Sequence, residues 1–208
     1  KNKRGEMNYM RILLIGATGL LGTAIKKELE PEHEIIQAAR HNTDVEVDIT
    51  KPISIKEMFE SVGKVDAVIS AAGDAHFGPL EKITPELNEV TIESKLKGQV
   101  NLVLLGMDYI NDGGSFTLTT GIIMDEPIYQ GASSAMANGA VKAFVKSAAT
   151  EAPRGIRINS VSPTVFQESS KDLKMFFPGF EPTPLSKVAL AFKKSVEGIQ
   201  TGQSYEIY

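Results

Sequence analysis

The sequence of 208 residues contains no cysteine and only three histidines, His33, His41 and His76. The lack of cysteine excludes a disulfide framework, thiol catalysis and any metal site built from thiolates. No two of the histidines stand at the spacing of neighbours on one helix or strand face, which argues against a zinc site. A reducing compartment fits this composition, so we expect a cytoplasmic protein.

Neither sign of charge dominates, because 22 lysines and arginines face 26 acidic residues and the net charge is −4. Without a basic footprint, nucleic acid is not an expected partner. No stretch approaches the roughly 20 apolar residues that a membrane span needs. A hydrophobic content of 42% with 23% charged residues is typical of a globular domain and excludes a disordered or fibrous chain.

Residues 1–9 are polar and basic, and we interpret them as a frayed or artificial leader, with Met7 or Met10 as the natural start. Residues 10–208 then read as one domain in which apolar runs alternate with helical patterns. The predicted strands are Arg11–Ile15, Glu34–Ala39, Asp44–Val47, Val65–Ser70, Ser115–Leu118, Ile156–Val161 and Ser204–Ile207. The predicted helices are Leu20–Leu29, one through Ile53 to Val62, Leu87–Ile110, Ala132–Ala152 and Pro184–Val196. Because the strands are apolar throughout, they predict a parallel sheet covered by helices on both faces, the Rossmann-like, doubly wound α/β class.

A glycine-rich loop joins the first predicted strand to the first predicted helix. Glycines at this place permit a tight turn and bring backbone N–H groups close to a pyrophosphate. The alternative is a structural turn that packs helix on strand, but the first-strand position favours a dinucleotide site. The predicted cofactor-binding residues of this loop are Gly16, Thr18, Gly19, Leu20, Leu21 and Gly22.

Together with two further segments, this loop resembles the short-chain dehydrogenase/reductase family. The segments are Ser70-Ala71-Ala72-Gly73 after the fourth strand and the run from Arg157 to Pro163 at the sixth. The resemblance implies an NAD(P) cofactor, with Ala71, Ala72 and Gly73 beside its ribose and Pro163 near the nicotinamide. It also implies a small-molecule substrate and a homo-oligomer, either dimer or tetramer, built on the two long helices.

The end of the second strand distinguishes NADP from NAD in such sites. Here Arg40 stands where an acid would hold a ribose 2′-hydroxyl, and its planar fork suits a 2′-phosphate. We therefore predict NADP, with NAD as a secondary option. Asp48, after the third strand, is placed to accept from adenine according to the resemblance, or to cap the following helix.

The resemblance breaks at the catalytic positions, where the family has a tyrosine and, one helical turn later, a lysine. Alignment on the Arg157–Pro163 run puts Ser134 at the tyrosine position and Asn138 at the lysine position. The family's strand-end serine or threonine corresponds to Thr120. A serine hydroxyl is a far weaker acid than a phenol, so Ser134 cannot replace the tyrosine as proton donor.

Lysine in turn replaces the family's asparagine three residues before Gly98, at Lys95. The two residue types look exchanged between neighbouring helices, although a solvated helix lysine is the alternative. His76 is either a substitute acid or a loop histidine, and we favour the latter. In the loop Thr164–Pro184 the phenylalanine side chains are expected either to line an apolar pocket or to pack under the loop. They are Phe166, Phe176, Phe177 and Phe180.

Two functions follow from these residues. The first is an NADP-dependent oxidoreductase of a small carbonyl or alcohol, in which Thr120, Ser134, Asn138 and Lys95 form the catalytic set. The second is a catalytically impaired NADP-binding sensor or scaffold. The glycine loop supports both functions, whereas the missing tyrosine and lysine favour the second.

Overall fold

The computed structural model describes residues 8–208, apart from the side chains of Ser170 and Asp172. The first seven residues of the expected leader lie outside the described residues. The other two leader residues, Asn8 and Tyr9, are exposed. Met10 is partly buried, and its backbone N–H donates to Nδ1 of His33 over 3.3 Å.

Seven parallel strands form one sheet in the order β3-β2-β1-β4-β5-β6-β7. They are β1 Arg11–Ile15, β2 Glu34–Ala39, β3 Val45–Glu46, β4 Val65–Ser70, β5 Ile110–Thr119, β6 Arg157–Pro163 and β7 Ser204–Ile207. The register pairs Leu13 of β1 with Ile36 of β2 on one side and with Val68 of β4 on the other. The order of the strands reverses between β1 and β4, and ligands of open α/β sheets bind in the crevice at such a reversal.

Helices cover both faces of the sheet, which confirms the predicted doubly wound class. They are α1 Leu20–Leu29, α2 Pro52–Val62, α3 Pro85–Thr91, α4 Gln99–Gly106, α5 Ala132–Ala148, α6 Ser170–Leu173 and α7 Leu185–Glu197. One core lies under α2, α4 and α5 around Phe59 and Phe116, and the other under α1 and α7 around Ile25 and Phe192. None of the helices in the described part of the chain is long and apolar enough to cross a membrane.

The predicted helix Leu87–Ile110 is one helical region, but it is not α-helical throughout. It begins at Pro85, passes through a π-helical turn over Ile92–Gly98, returns to α-helix as far as Gly106, and closes with a 3-10 turn over Met107–Tyr109. A π-helical turn holds more residues than an α-helical turn, and so short a change of spacing is not visible in the apolar pattern of the sequence. Gly106 abuts the rings of Phe59 and Phe116, and Ile110 already pairs with Val65 as the first residue of β5.

The other differences concern element ends. β5 begins at Ile110, before the predicted strand Ser115–Leu118, and its pairing with β4 shifts between Val65 and Ala67. α5 ends at Ala148 rather than Ala152, because the hydroxyl of Thr150 binds the Ser147 carbonyl and Pro153 follows. Smaller shifts affect three further elements: β3 is shorter than predicted, β6 extends to Pro163, and α7 runs over Leu185–Glu197.

The segment from Thr164 to Pro184 is partly helical, since it contains α6. Phe166 pairs with Thr183 at its base. The carboxylate of Glu168 accepts the backbone N–H of Leu185 at 3.1 and 3.2 Å, which closes the segment onto the start of α7.

Candidate functional site: a cleft at the carboxyl edge of the sheet

A cleft of about 500 Å³ lies at the carboxyl ends of β1, β2 and β4, where the strand order reverses. It brings together eight of the predicted cofactor residues: Gly16, Thr18, Gly19, Arg40, Asp48, Ala71, Ala72 and Gly73. Four others, Leu20, Leu21, Gly22 and Pro163, do not line it. The side chain of Leu21 packs in the core, and Leu20 is half exposed on the far side of the loop.

Close backbone packing explains two glycines of the loop. Gly16 has φ +81°, and a Cβ there would lie 2.6 Å from the carbonyl oxygen of Ala71. Gly22 abuts the carbonyl of Gly16, which lets α1 approach the turn. A side chain at Gly16 would therefore require the cleft wall to move.

The N-terminus of α1 is free to receive an anion. Its N-cap is Gly19, no side chain caps the helix, and the first turn contains no acidic residue. The first backbone N–H groups of a helix have no partner within the helix, and they carry a partial positive charge. A phosphate group of a dinucleotide would accept hydrogen bonds from these N–H groups, and its negative charge would balance their partial positive charge.

Arg40 and Asp48 lie on the rim of the cleft, but both already have partners. Arg40 Nη2 is 3.3 Å from Asp74 Oδ2, and both side chains are largely exposed. Asp48 accepts from the hydroxyl of Thr50 at 2.7 Å and pairs with Lys51 at 3.0 Å, and these contacts hold the pKa of its carboxyl below the usual value. The N-cap of α2 is Lys51, so Asp48 does not take the capping position considered from the sequence.

Thr120 and Asn138 meet at Gly121. The buried hydroxyl of Thr120 donates to the carbonyl of Val161 over 3.3 Å, and Asn138 Nδ2 approaches the Gly121 carbonyl at 3.4 Å. Asn138 is 2% exposed, and its Oδ1 has no hydrogen-bond partner among the described residues. Ser134 lies one turn earlier on the same buried face of α5.

Lys95 does not line the cleft but packs behind Gly73 of the cleft wall and is partly buried, whereas Lys97 is exposed. The π-helical turn that carries Lys95 packs against α5, and a Cβ on Gly73 would contact the Cα of Lys95 at 3.1 Å. Burial lowers the pKa of Lys95 to about 8, against an opposing effect of the Asp74 carboxylate. Lys97 instead pairs with Glu93 at 2.6 Å and with Glu89 at 3.2 Å on the outer surface.

Sequence reasoning missed Gln99. Its fully buried amide donates to the carbonyls of Lys95 and Thr119, at 2.9 and 2.8 Å, and accepts the Thr119 N–H at 2.8 Å. The amide thereby ties the turn of Lys95 to the strand end before Thr120. A polar residue at an inward position of an apolar helix was the available signal.

Asp74 was also missed as a site residue, although it directly follows Gly73. Its backbone N–H donates to the hydroxyl of Ser94 over 2.8 Å, next to Lys95. His76 lies outside the cleft lining, and its Nε2 is close to Gly78. This position agrees with the loop histidine that we favoured.

One group of a histidine and two acids lies at the opposite edge of the sheet, within the described part of the chain: Glu32, His33 and Glu197. Nδ1 of His33 accepts the Met10 N–H, and its Nε2 is 3.0 Å from Glu197. Lys193 bonds Glu32 at 2.5 Å, so these groups already satisfy one another.

Comparison with known proteins agrees with this geometry. Residues 16–181 match a short-chain dehydrogenase family model described as enoyl-(acyl carrier protein) reductase. The chain belongs to the short-chain dehydrogenase/reductase family. The crystal structure of the protein lin1944 from Listeria innocua is 65% identical and superposes with a TM-score of 0.95, covering 96% of this chain and 100% of that one.

Two more distant proteins complete the comparison. A small-chain dehydrogenase in complex with NADPH is 24% identical, with a TM-score of 0.85 over 96% of this chain and 97% of its own, and shares the fold. The glucose and ribitol dehydrogenase homolog 2 of Arabidopsis thaliana is 28% identical over 52% of this chain and 38% of its own length. Across the curated relatives the match spans between 38% and 55% of their length.

Proposed function

We propose that the protein is an NADP(H)-dependent oxidoreductase of a small carbonyl or alcohol substrate. The observation that carries this proposal is the cleft, in which the glycine loop, the uncapped N-terminus of α1 and Arg40 line one continuous wall. Family membership supports it, as does the NADPH described in a protein of the same fold. The cytoplasmic location expected from the sequence stays a prediction.

The residues of the cleft fit a dinucleotide. The backbone N–H groups that start α1, next to Gly19, would hold its phosphates. Arg40 would bind a 2′-phosphate, and Ala71 to Gly73 would lie beside a ribose. The free Oδ1 of Asn138 is an acceptor in need of a donor such as a hydroxyl. When bound, the cofactor supplies the hydride.

Lys95 is the chain's proton donor in this proposal. A pKa of about 8 leaves its ammonium charged at neutral pH, yet acidic enough to give up a proton to a substrate oxygen. Thr120 orients that oxygen through its hydroxyl, and Asn138 occupies the space of the family's lysine. Ser134 lines the same buried face and takes no proton in this scheme.

Cofactor titration tests the first part of the proposal. Calorimetry on the whole chain should show tighter binding of NADP(H) than of NAD(H), and Arg40→Ala should remove the difference. Equal affinities, or unchanged discrimination in Arg40→Ala, would refute the assignment. Lys51→Ala is the matched control, because it removes a nearby cation that pairs with Asp48 instead.

Turnover tests the second part. With a panel of small aldehydes, ketones and alcohols, Lys95→Met should abolish cofactor oxidation or reduction and weaken cofactor binding only modestly. Lys97→Met, two residues away on the outer face, should retain activity. Full turnover in Lys95→Met would remove Lys95 from the mechanism.

A cofactor-binding protein without turnover is the second candidate. Ser134 and Asn138 at the positions of the family's tyrosine and lysine favour it. NADP(H) binding with no turnover of the whole panel by the wild-type protein would select this function.

We also propose a homodimer through the outer faces of α3 to α5. Leu87, Val90, Leu104 and Met136 are exposed there, and apolar side chains of this size are typical of buried interfaces. Ala143 is exposed and small, whereas Ala137 on the same helix is fully buried and does not reach a partner. Sedimentation equilibrium should show a dimer that Leu104→Glu dissociates. A wild-type monomer at about 10 μM would overturn this assembly.

A further inference from the structure

Asp74 lies between the two cations that the proposed function uses. Its carboxylate pairs with Arg40 at 3.3 Å on the rim of the cleft. Its backbone is fixed by Ser94, and the preceding Gly73 touches the backbone of Lys95. Asp74 thus pairs with Arg40 through its side chain and directly follows the glycine that packs on the backbone of Lys95.

Asp74 is also the charged neighbour that acts on Lys95. Its negative charge raises the pKa of Lys95, while burial lowers it. The side of α5 that packs against this turn presents uncharged groups, Ser134 and Asn138. On its own helical region the nearest charges are Lys97, Glu93 and Glu89, which pair with one another on the outer surface and leave one negative charge there.

We infer that Asp74 is a specificity-determining residue shared by Arg40 and Lys95. A cofactor 2′-phosphate draws Arg40 away from Asp74, and the released carboxylate then stabilises the charged form of Lys95. A 2′-hydroxyl carries no charge with which to compete for Arg40, so NAD(H) leaves the Arg40–Asp74 pair intact. This inference rests on the proposed function and deepens it.

The consequence is a coupling between the two ends of the cleft. Because such coupling is reciprocal, a charged Lys95 must favour NADP(H) by the same factor by which NADP(H) favours a charged Lys95. The 2′-phosphate would thereby raise the charged fraction of Lys95 without contacting Lys95. No residue needs to move further than the reach of the Arg40 and Asp74 side chains.

The first experiment measures affinities. Calorimetry should show that Asp74→Asn binds NADP+ about two- to fivefold more tightly than the wild type, since the competing exposed ion pair is gone. NAD+ affinity should change by less than about twofold. Glu46→Gln is the control, because Glu46 is an exposed carboxylate near the same rim that contacts His41 and not Arg40.

The second experiment follows Lys95 itself and needs no turnover. Protein labelled with carbon-13 at lysine Cε is titrated by NMR, and the Lys95 signal is the one absent from Lys95→Met. The pKa of Lys95 should be higher with NADP+ than with NAD+. In Asp74→Asn it should be lower than in the wild type, and the difference between the cofactors should vanish.

Each part of the inference is open to refutation. An equal pKa of Lys95 with both cofactors, or a difference that persists in Asp74→Asn, would overturn it while NADP+ binding kept the proposed function standing. Tighter NADP+ binding in Glu46→Gln as well would reduce the effect to general surface charge and overturn the special role of Asp74. Failure of both cofactors to bind the wild type would overturn the proposed function and this inference together.

Discussion

The side-chain amide of Gln99 binds both the N–H and the C=O of Thr119, at 2.8 Å each, in the buried centre of the molecule. The same amide also donates to the carbonyl of Lys95. A glutamine side chain therefore binds the end of β5 as a backbone would, and it ties the backbone of Lys95 to that of Thr119, next to Thr120.

Replacement of Gln99 by leucine should destabilise the fold by about 3 kcal/mol or more. It leaves the backbone N–H and C=O of Thr119 and the carbonyl of Lys95 buried without partners, at about 1–3 kcal/mol each. Denaturant unfolding measures the loss. The exposed Gln203→Leu serves as control and should change stability by no more than about 0.5 kcal/mol. A Gln99→Leu protein as stable as the wild type would show that the hydrogen bonds of the Gln99 amide do not stabilise the fold.

Gly16→Ala should abolish cofactor binding and destabilise the protein by more than Gly113→Ala does. Both glycines have positive φ, +81° and +75°, so an alanine costs about 1 kcal/mol of backbone strain at either position. Only at Gly16 does a Cβ meet a neighbour, the carbonyl of Ala71 at 2.6 Å, whereas Gly113 faces open space. Thermal unfolding and cofactor titration of the two variants give the comparison. Equal stability and equal cofactor affinity of the two variants would show that the close approach of Gly16 to Ala71 is unimportant.

The partly buried Lys95 should make stability depend on alkaline pH. Its pKa is lowered from 10.5 to about 8 in the native protein, so the unfolded chain binds more protons between these values. The free energy of unfolding, relative to Lys95→Met, should therefore rise by up to about 3 kcal/mol from pH 8 to pH 10.5.

Lys97→Met provides the control for this pH dependence. The pKa of Lys97 is raised by Glu93 and Glu89, so its stabilising effect is complete below the ordinary lysine value and declines only above it. Over the same window the Lys97→Met difference should stay flat. A flat difference for Lys95→Met too would place the ammonium of Lys95 in solvent.

Tyr208→Phe should destabilise the loop between β5 and α5. The Tyr208 hydroxyl binds Ser162 at 2.9 Å and the carboxylate of Asp125 at 2.8 Å, and burial raises its pKa, so it stays protonated as a donor. Loss of these bonds should cost about 1–2 kcal/mol in denaturant unfolding. Tyr205→Phe loses one longer bond, 3.2 Å to Gln200, and should cost less. A larger loss of stability in Tyr205→Phe than in Tyr208→Phe would contradict the stabilising role of the Tyr208 hydroxyl.

Local pattern was sufficient for most of the sheet. The predicted bounds of β1, β2, β4 and β7 and of α1 agree with the structure residue by residue. Short apolar runs between glycines and polar turns leave one reasonable placement for a strand. The third predicted helix was correct as a helical region, but its π-helical turn and the end of α4, where Gly106 contacts Phe59 and Phe116, were not predicted, because neither has a local sequence signal.

The candidate site divides in the same way. Its glycine loop and Arg40 are continuous in sequence with the first two strands, and Gly16, Thr18, Gly19 and Arg40 line the cleft. Asp74 and Gln99 escaped notice because their partners are far away along the chain: Arg40 lies 34 residues before Asp74, and Thr119 lies 20 residues after Gln99. Neither residue carries a motif of its own.

The sequence by itself determined the parallel α/β class and the glycine loop after the first strand, and it predicts serine and asparagine at the family's tyrosine and lysine positions, because each is a matter of residue type and local spacing. Only the tertiary structure decided which charges meet. It paired Arg40 with Asp74, buried Lys95 beside them and placed the Gln99 amide against Thr119. These contacts join different elements of the fold, and their energies depend on burial and distance, which no local pattern of residues specifies.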